Sequence, residues 1–412
     1  MIFLKSERSW KKNIVLFLTS QTISLFGSSL VQYAITWYIT LKTQSGIMMT
    51  ISIICGVLPI FFLSPFAGVW ADRYNRKTLI MLADSMIALC TLILAILFLA
   101  GYQMMWLLFF MSAIRALGTA VQGPAVGAFI PQLVPEDKLI KVNGLNSSIQ
   151  SAVMLVSPML SGALLTFTTI ELIFFIDVFT AIIGVSVLMF FLHVPAHAKA
   201  QEVQKVSYFT DLGEGIKYIR KQAFLKKFFL FCAIFMVMAA PAAFLTPLQV
   251  TRTFGEDVWR LTAIEMTFSI GMMAGGILMA LWGGFKNKIH SMTLGTLLFG
   301  ACTIALGVVP IFWLYLVFMV IVGLAMPIFN TPATVMLQEK VEADYLGRTF
   351  SVLSMISSTM MPLGMLIFGP IADIIAIENL LILTGVIMCL ESLFLLRSKE
   401  LLEAGKPSEQ SA

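Results

Sequence analysis

Arg115, Asp177 and Glu265 are ionisable side chains that lie within long apolar segments of the sequence. A charge at bilayer depth is costly, so such a residue usually faces the protein interior or a cavity and serves a function. Surroundings of low dielectric constant favour the neutral form of a carboxylic acid, which lets an embedded acid take up and release protons near neutral pH. We expect Asp177 and Glu265 to be candidate proton carriers. The alternative for each is an interfacial acid that is hydrated from the outer side.

Three other acids in or beside apolar segments are expected to be structural. Asp84 and Glu391 lie nearer the ends of their segments that are expected to face the cytoplasm. Asp373 directly follows the end of a segment, where it fits a helix cap or a surface charge.

The first apolar segment carries a polar stripe. Gln21, Ser24, Ser28, Gln32 and Thr36 are three or four residues apart, which places them on one face of a helix. A neutral polar face on an apolar helix predicts a water-filled cavity, although such residues can equally hold helices together. The further cavity candidates are Asn143, Asn146, Gln150 and Ser151 in the fifth segment, and Asn330 and Thr334 in the tenth.

Residues for enzymatic or metal chemistry are scarce. The five cysteines stand singly in different segments, and His193 and His197 are separated by Pro195 with no third ligand nearby. The sequence contains no nucleophile elbow and no nucleotide-binding loop. We therefore expect no metal, no cofactor, no enzymatic activity and no drive by ATP hydrolysis.

Long hydrophobic helices must position these side chains. The 412 residues are 59% hydrophobic and 12% charged, about half the charged fraction usual in a soluble domain. A run of about 18 or more apolar residues can cross a bilayer as a helix, and the alternating strands of a membrane barrel are absent. The expected fold class is an all-α membrane protein with an uncleaved first helix. The twelve predicted spans are 14–39, 48–70, 79–100, 104–125, 145–167, 172–192, 228–248, 261–282, 292–309, 312–334, 350–371 and 380–396.

The distribution of positive charge predicts the orientation. With both termini in the cytoplasm, all but four of the 27 Lys and Arg residues fall on the cytoplasmic side. Lys42, Arg252 and Arg260 lie outside, and Arg115 lies within a span. This bias follows the positive-inside rule of a bacterial cytoplasmic membrane. It also accounts for the net charge of +5, so no nucleic-acid partner is expected.

The chain repeats itself weakly. Pro124-Ala125 in the fourth span and Pro332-Ala333 in the tenth are placed alike, and similar loops follow them. Trp70, Asn75 and Arg76 after the second span correspond to Trp282, Asn287 and Lys288 after the eighth. This order predicts a duplicated six-helix unit. The predicted divisions are an amino-terminal bundle (1–192), a central cytoplasmic loop (193–227) with a short amphipathic helix at 209–220, a carboxy-terminal bundle (228–398), and a polar, disordered cytoplasmic tail (399–412).

One loop has a specific pattern. Residues 68–77 read Gly-Val-Trp-Ala-Asp-Arg-Tyr-Asn-Arg-Lys, and the stretch resembles the major facilitator signature GxLADRxGRR at its usual place between the second and third spans. The resemblance implies two six-helix halves with substrate bound between them near the midplane. It also implies that this loop fastens the halves together on the cytoplasmic side. That role is carried by Gly68, which permits close helix approach, and by Asp72, Arg73 and Arg76. Asn75 replaces the usual Gly, and we expect it to keep the turn because Asn tolerates left-handed backbone.

Two further patterns resemble those of the same superfamily. Its members often have an Arg at the position of Arg115 that is linked to proton transfer, which implies that link here; the alternative is an Arg that bonds to helix carbonyls. In the fifth span, Ser157-Pro158-Met159-Leu160-Ser161-Gly162 resembles the exporter motif GPxxGG. Ser157 and Ser161 stand where the motif has glycine. Serine is also a small residue, so close packing is expected. The alternative is an ordinary proline kink.

The whole chain resembles the macrolide-efflux branch of the superfamily. The resemblance lies in Ser20-Gln21-Thr22-Ile23-Ser24, in Arg115-Ala116-Leu117-Gly118-Thr119-Ala120, and in Glu339-Lys340-Val341 with Tyr345-Leu346-Gly347-Arg348. It implies export of amphipathic drugs by proton antiport, by a protein that works as a monomer. The 26 Met and 33 Phe residues suit a poorly discriminating site. The alternatives are a siderophore or other metabolite exporter, and a nutrient:proton symporter.

Overall fold

The computed structural model describes residues 2–135, 138–192 and 217–406. These residues are almost entirely helical, because in a bilayer the backbone must satisfy its own hydrogen bonds. The helices are α1 (Ile2–Thr43), α2 (Gly46–Arg73), α3 (Arg76–Leu99), α4 (Met105–Leu133), α5 (Leu139–Phe167), α6 (Ile170–Ser186, continued by a π-helical turn Val187–Phe191), α7 (Ala223–Phe244), α8 (Thr246–Phe254), α9 (Val258–Trp282), α10 (Lys288–Val308), α11 (Phe312–Lys340), α12 (Ala343–Ile371), α13 (Ile377–Arg397) and α14 (Lys399–Ala404).

The prediction of twelve membrane spans is confirmed. Within the described ranges, twelve segments are long and apolar enough to cross a bilayer. The seventh consists of two helices, α7 and α8, and continues to Phe254, past its predicted end. It breaks at Leu245, between Pro241 within α7 and Pro247 in the first turn of α8. Pro247 lacks the amide hydrogen that a continuous helix would donate to the Ala243 carbonyl across this point, which explains the break.

The chain forms two compact units. The first contains Met1–Ile39 and Ile51–Gln204, and the second contains Thr40–Thr50 and Lys205–Ala412. The turn that joins α1 to α2 therefore groups with the carboxy-terminal helices, an arrangement that hydropathy does not indicate.

In the first unit, small residues bring helices into close contact. Ser20 on α1 donates a hydrogen bond to the Gly184 carbonyl on α6 at 2.9 Å. A Cβ atom added to Gly27 on α1 would lie 3.1 Å from the Cα of Asp177 on α6. An aromatic pair, Phe17 and Phe129, packs edge to face at 5.1 Å in the hydrophobic cluster of this unit. These contacts hold α1 against α6 and α4.

In the second unit, glycines let helix backbones touch. A Cβ atom on Gly271 of α9 would collide with the Val320 carbonyl of α11, and one on Gly323 of α11 would collide with the Phe268 carbonyl of α9. Helices α10 and α13 meet in the same way, because a Cβ atom on Gly300 would lie 2.9 Å from the Gly385 carbonyl. Such small-residue contacts are a common means of helix association in lipid.

The prediction of a disordered tail is wrong for residues 399–406. Residues Lys399–Ala404 form α14, and Leu401 is completely buried. The Gly405 carbonyl accepts a hydrogen bond from the Lys288 amide at 2.9 Å, at the start of α10. Glu400 pairs with Lys227 at 2.7 Å. That bond, with hydrogen bonds from the Glu400 amide and Ser398, lowers the pKa of Glu400 to about 2.

The predicted surface helix at 209–220 lies mostly outside the described residues. Its last part, from Lys217, is helical. There Tyr218 stacks on Tyr345 with ring centroids 4.2 Å apart, and its hydroxyl donates to Glu342 at 3.4 Å. The end of this segment is thus attached to the connection between α11 and α12.

Asp373 caps the first turn of α2, as the sequence suggested. Its carboxylate accepts hydrogen bonds from the amides of Gly46 at 2.7 Å and Ile47 at 3.0 Å. Ser45 and Arg252 complete the set at 2.7 and 2.9 Å. Partial burial works to raise the pKa of Asp373, but the Ile47 and Gly46 amides, Ser45 and Arg252 outweigh it, so the pKa lies below its usual value.

We expect Gly271→Ala to destabilise the protein by about 1–3 kcal/mol, because the new methyl group would overlap the α11 backbone. Gly276→Ala on the same helix is the matched control, since a Cβ atom there meets no described atom within 4 Å. Thermal unfolding in detergent measures both. Equal melting temperatures for the two variants would contradict the close contact of α9 with α11.

We expect Asp373→Asn to lower stability at neutral pH by about 1–3 kcal/mol, because the amide loses the charge that four donors stabilise. The pKa of Asp373 in the folded protein lies below the unfolded value of about 3.9. Its contribution is therefore complete above that value and is lost as the pH falls through the lowered pKa. Melting temperatures of both proteins between neutral and acidic pH should converge at the acid end. Asp257→Asn, whose side chain is 56% exposed beside Arg260, is the control and should change little.

Candidate functional site

A buried ion pair lies at the centre of the first unit. Arg115 on α4 contacts Asp177 on α6 with Nη1 and Oδ2 2.6 Å apart, and the side chains are 8% and 1% exposed. Thr91 on α3 donates to Asp177 Oδ2 at 2.8 Å, and Ser28 on α1 donates to Oδ1 at 3.1 Å. Four helices therefore contribute to one charged cluster.

The guanidinium of Arg115 is held on three sides. Besides Asp177, it donates to the Thr91 hydroxyl and to the Ser28 carbonyl, the latter at 3.3 Å. Charge-assisted hydrogen bonds of this kind are stronger than neutral ones and fix the geometry of both partners. Gly27 makes the cluster possible, because its missing side chain lets α1 approach Asp177 closely enough for Ser28 to reach it. Arg115 is also bound to a helix carbonyl, the alternative role that the sequence left open.

Of the three embedded charges expected to handle protons, the structure brings Arg115 and Asp177 together. The alternative of a hydrated interfacial acid is wrong for Asp177, which is completely buried. Glu265 lies in the second unit on α9, where it is half-buried and makes no hydrogen bond or ion pair with a described residue. Its role as a proton carrier stays a prediction.

A second buried carboxyl, which the sequence assigned to a structural role, lies in the same unit. Asp84 on α3 is 1% exposed and accepts a hydrogen bond from Gln122 on α4. Gln21 and Ser24 of α1 also interact with it. The signal that could have indicated this position is spacing: Asp84 and Thr91 are seven residues apart and therefore lie on one face of α3.

The polar stripe on α1 faces protein over its first part. Gln21 and Ser24 are buried, and Ser28 is half-buried against Asp177. The expectation of a water-filled cavity is wrong for these three, because they are enclosed by other helices of the same bundle. Gln32, further along α1, is exposed.

Other cavity candidates lie on helix surfaces. Gln150 and Asn143 on α5 are exposed in the first unit, and Asn330 on α11 is exposed in the second. An exposed amide within a membrane span is costly against lipid and is therefore expected to face water. These positions remain candidates for substrate contact.

The signature loop joins helices inside the first unit. Asn75 accepts hydrogen bonds from the Lys77 and Thr78 amides and so caps α3. Its φ of −63° shows that capping, and not left-handed backbone, is the reason for Asn here. Arg76 donates to the Ala71 carbonyl at 3.0 Å and to the Ala128 carbonyl at 2.9 Å, which ties the end of α2 to α4.

The remaining signature residues have different placements. Arg73 is exposed, and the side chain of Asp72 lies outside the described part of the structure. A Cβ atom on Gly68 would meet no described atom within 4 Å, and the expected close helix approach at this residue stays a prediction. A fastening role for the loop stays a prediction for Asp72, Arg73 and Arg76.

The exporter-like motif packs α5 against α1. Ser157 and Ser161 are completely buried, and Ser161 donates to the Leu30 carbonyl at 3.0 Å. Pro158 and Gly162 are buried as well, and α5 continues through Pro158 as one helix. The expectation of close packing by small residues is confirmed. Ser157 Oγ has no hydrogen-bond partner among the described residues.

Comparison with known proteins gives one consistent result. The family model of the Major Facilitator Superfamily matches residues 17–365. Macrolide efflux protein A of Streptococcus pyogenes is 30% identical over 390 residues, which cover 94% of this chain and 96% of that protein. The staphyloferrin A transporter of Staphylococcus aureus is 22% identical, with 93% and 96% coverage.

Solved structures agree at the level of the fold. The crystal structure of a POT family transporter in complex with a thioalcohol-conjugated peptide superposes with a TM-score of 0.71 at 14% identity, covering 92% of this chain and 95% of that one. With twelve candidate spans and a family match over most of its length, this chain is a multi-pass membrane transporter that belongs to the Major Facilitator Superfamily and is similar to the macrolide efflux proteins.

Proposed function

We propose that the protein exports amphipathic, macrolide-like small molecules in exchange for protons. The observation that carries this proposal is the similarity to Macrolide efflux protein A over 94% of the chain. Exposed amides such as those of Gln150 and Asn330 would supply polar contacts to the substrate. The many methionines and phenylalanines would supply adaptable apolar contacts.

The Arg115–Asp177 pair supports coupling to protons. A buried carboxylate that loses its charge no longer balances the guanidinium, and an uncompensated buried charge is strongly unfavourable. Protonation of Asp177 would therefore weaken the contacts of α4 with α6, and the Arg115 guanidinium would then be more stable beside another negatively charged or polar group. Proton binding is in this way linked to a rearrangement of helices, which is what an antiporter requires. Glu265 is the second candidate for the same task.

A siderophore or other metabolite is the alternative cargo. The similarity to the staphyloferrin A transporter favours it, although the identity is lower. A nutrient:proton symporter is a weaker alternative, because the buried motif at Ser157–Gly162 resembles that of exporters. We also infer that the protein lies in the bacterial cytoplasmic membrane as a monomer, with both termini in the cytoplasm, since this orientation places nearly all Lys and Arg residues inside.

Transport by the purified protein in proteoliposomes tests the proposal. We expect a pH gradient, acidic inside, to drive accumulation of radiolabelled erythromycin, and a protonophore to abolish it. A drug panel on a pump-deficient strain identifies the preferred compounds. Uphill accumulation of a sugar or amino acid together with protons would support the symporter, and transport of staphyloferrin A without macrolide transport would support the metabolite exporter.

We expect Asp177→Asn and Arg115→Gln each to abolish gradient-driven export and to destabilise the protein by about 3–5 kcal/mol, because each leaves one buried charge unbalanced. The double variant should regain much of the melting temperature and still fail to export. Glu265→Gln is the comparison. If Glu265→Gln alone stopped proton movement while Asp177→Asn transported normally, Glu265 would be the proton carrier.

A further inference from the structure

A second polar layer lies beside the ion pair in the first unit. Helices α3 and α4 are antiparallel neighbours, and two positions seven residues apart on each helix face one another. Thr91 of α3 meets Arg115 of α4 in one layer, and Asp84 of α3 meets Gln122 of α4 in the other. Seven residues correspond to about 10 Å along a helix.

Close contact between the two helices fixes this register. Gly118 lies between Arg115 and Gln122 on α4, and a Cβ atom there would lie 2.6 Å from Ile87 of α3. The lack of a side chain at Gly118 therefore lets α3 and α4 approach until both layers can form.

The Asp84 layer has no balancing positive charge. Asp84 forms no ion pair with a described residue, and the neighbours that interact with it from α1 and α4 are the neutral side chains of Gln21, Ser24 and Gln122. The charged group that interacts electrostatically with the Asp84 carboxyl is Asp177 of α6, which is negative and therefore repels a negative charge on Asp84. Arg115, the cation of this region, is already paired with Asp177.

Two polar atoms in this layer are left without partners. Asp84 Oδ2 and Gln21 Nε2 are both buried and make no hydrogen bond to a described residue. An ionised carboxylate would leave a buried negative charge unpaired, which costs far more than a neutral acid. The protonated, neutral form of Asp84 is therefore the form that these contacts favour. If the proton leaves, the free Gln21 amide supplies a donor for the oxygen that becomes charged.

We propose that Asp84 is a proton-binding residue of the transport cycle, as the charge-unbalanced carboxyl of a two-layer network that also contains the Arg115–Asp177 pair. The proposal rests on the proposed proton antiport. A proton on Asp84 leaves Asp177 free to hold Arg115, whereas loss of that proton adds a second negative charge to the network. The second charge then favours either protonation of Asp177 or movement of Arg115 toward Asp84. The two carboxyls thus share one cation and titrate as a coupled pair.

Infrared difference spectroscopy tests the proton site without any substrate. The purified full-length protein at neutral pH should show carbonyl bands of protonated carboxylic acids, and one of these bands, lost at alkaline pH in the wild type, should be missing from the spectrum of Asp84→Asn while any bands of Glu265 and Glu391 remain. Asp257→Asn, which changes an exposed acid, should keep the band. A spectrum of Asp84→Asn identical to that of the wild type in this region would overturn the proposal, whether or not erythromycin is transported.

Transport then tests the role in coupling. In proteoliposomes we expect Asp84→Asn to lower gradient-driven erythromycin accumulation at least tenfold and to remove its dependence on pH, while counterflow of erythromycin remains measurable. Asp84→Glu, which restores an acid, should recover part of the gradient-driven transport. Because the asparagine side chain has the same shape, the melting temperature should change little. Normal pH-dependent accumulation by Asp84→Asn would contradict the proposal, and failure of the wild type to move erythromycin would instead contradict the proposed function.

Discussion

An arginine enclosed among apolar helices must keep a negative partner, and this constraint organises the first unit. The side chain of Arg115 is buried, and Asp177 lies within hydrogen-bond distance of it and balances its charge. Four helices meet at that pair, and the small residue Gly27 is placed where a larger one would push α1 away from Asp177. Packing and electrostatics therefore impose the same helix arrangement, and a change in the charge of either partner must be felt by all four helices.

The second unit is built differently. Its described helices approach through glycine contacts such as those of Gly271, Gly323 and Gly300. Two acids within its spans, Glu265 and Glu391, have no ion pair with a described residue, and both oxygens of Glu391 are buried without a described partner. The buried Arg115–Asp177 ion pair belongs to the first unit, so charge-driven rearrangement is expected to begin there and not in the second unit.

Hydropathy and charge distribution predicted the twelve spans and singled out Arg115 and Asp177, because both signals depend only on residue type and position along the chain. They did not predict that these two residues pair, since pairing depends on how α4 and α6 are rotated against each other. Asp84 was assigned to a structural role for the same reason. Its position along the segment indicates depth, whereas its contacts with Gln122 and α1 depend on the face of α3 that it occupies. Two other positions could not be predicted from residue type. Gly68 has no close neighbour among the described atoms, although it lies in a signature motif, and the polar segment at 399–406 is ordered because Leu401 is buried.

The short helix α14 affects how the molecule is completed during synthesis. Membrane spans enter the bilayer in chain order. The amide of Lys288, at the start of α10, can therefore donate its hydrogen bond to the Gly405 carbonyl only after the later spans have been made. That carbonyl exists only after the ribosome has passed the last span, and Leu401 must then reach its buried position. The second bundle therefore closes only when its final span is already in place. A chain that ended shortly before Lys399 would contain every span and would lack both the bond from Lys288 to Gly405 and the packing of Leu401.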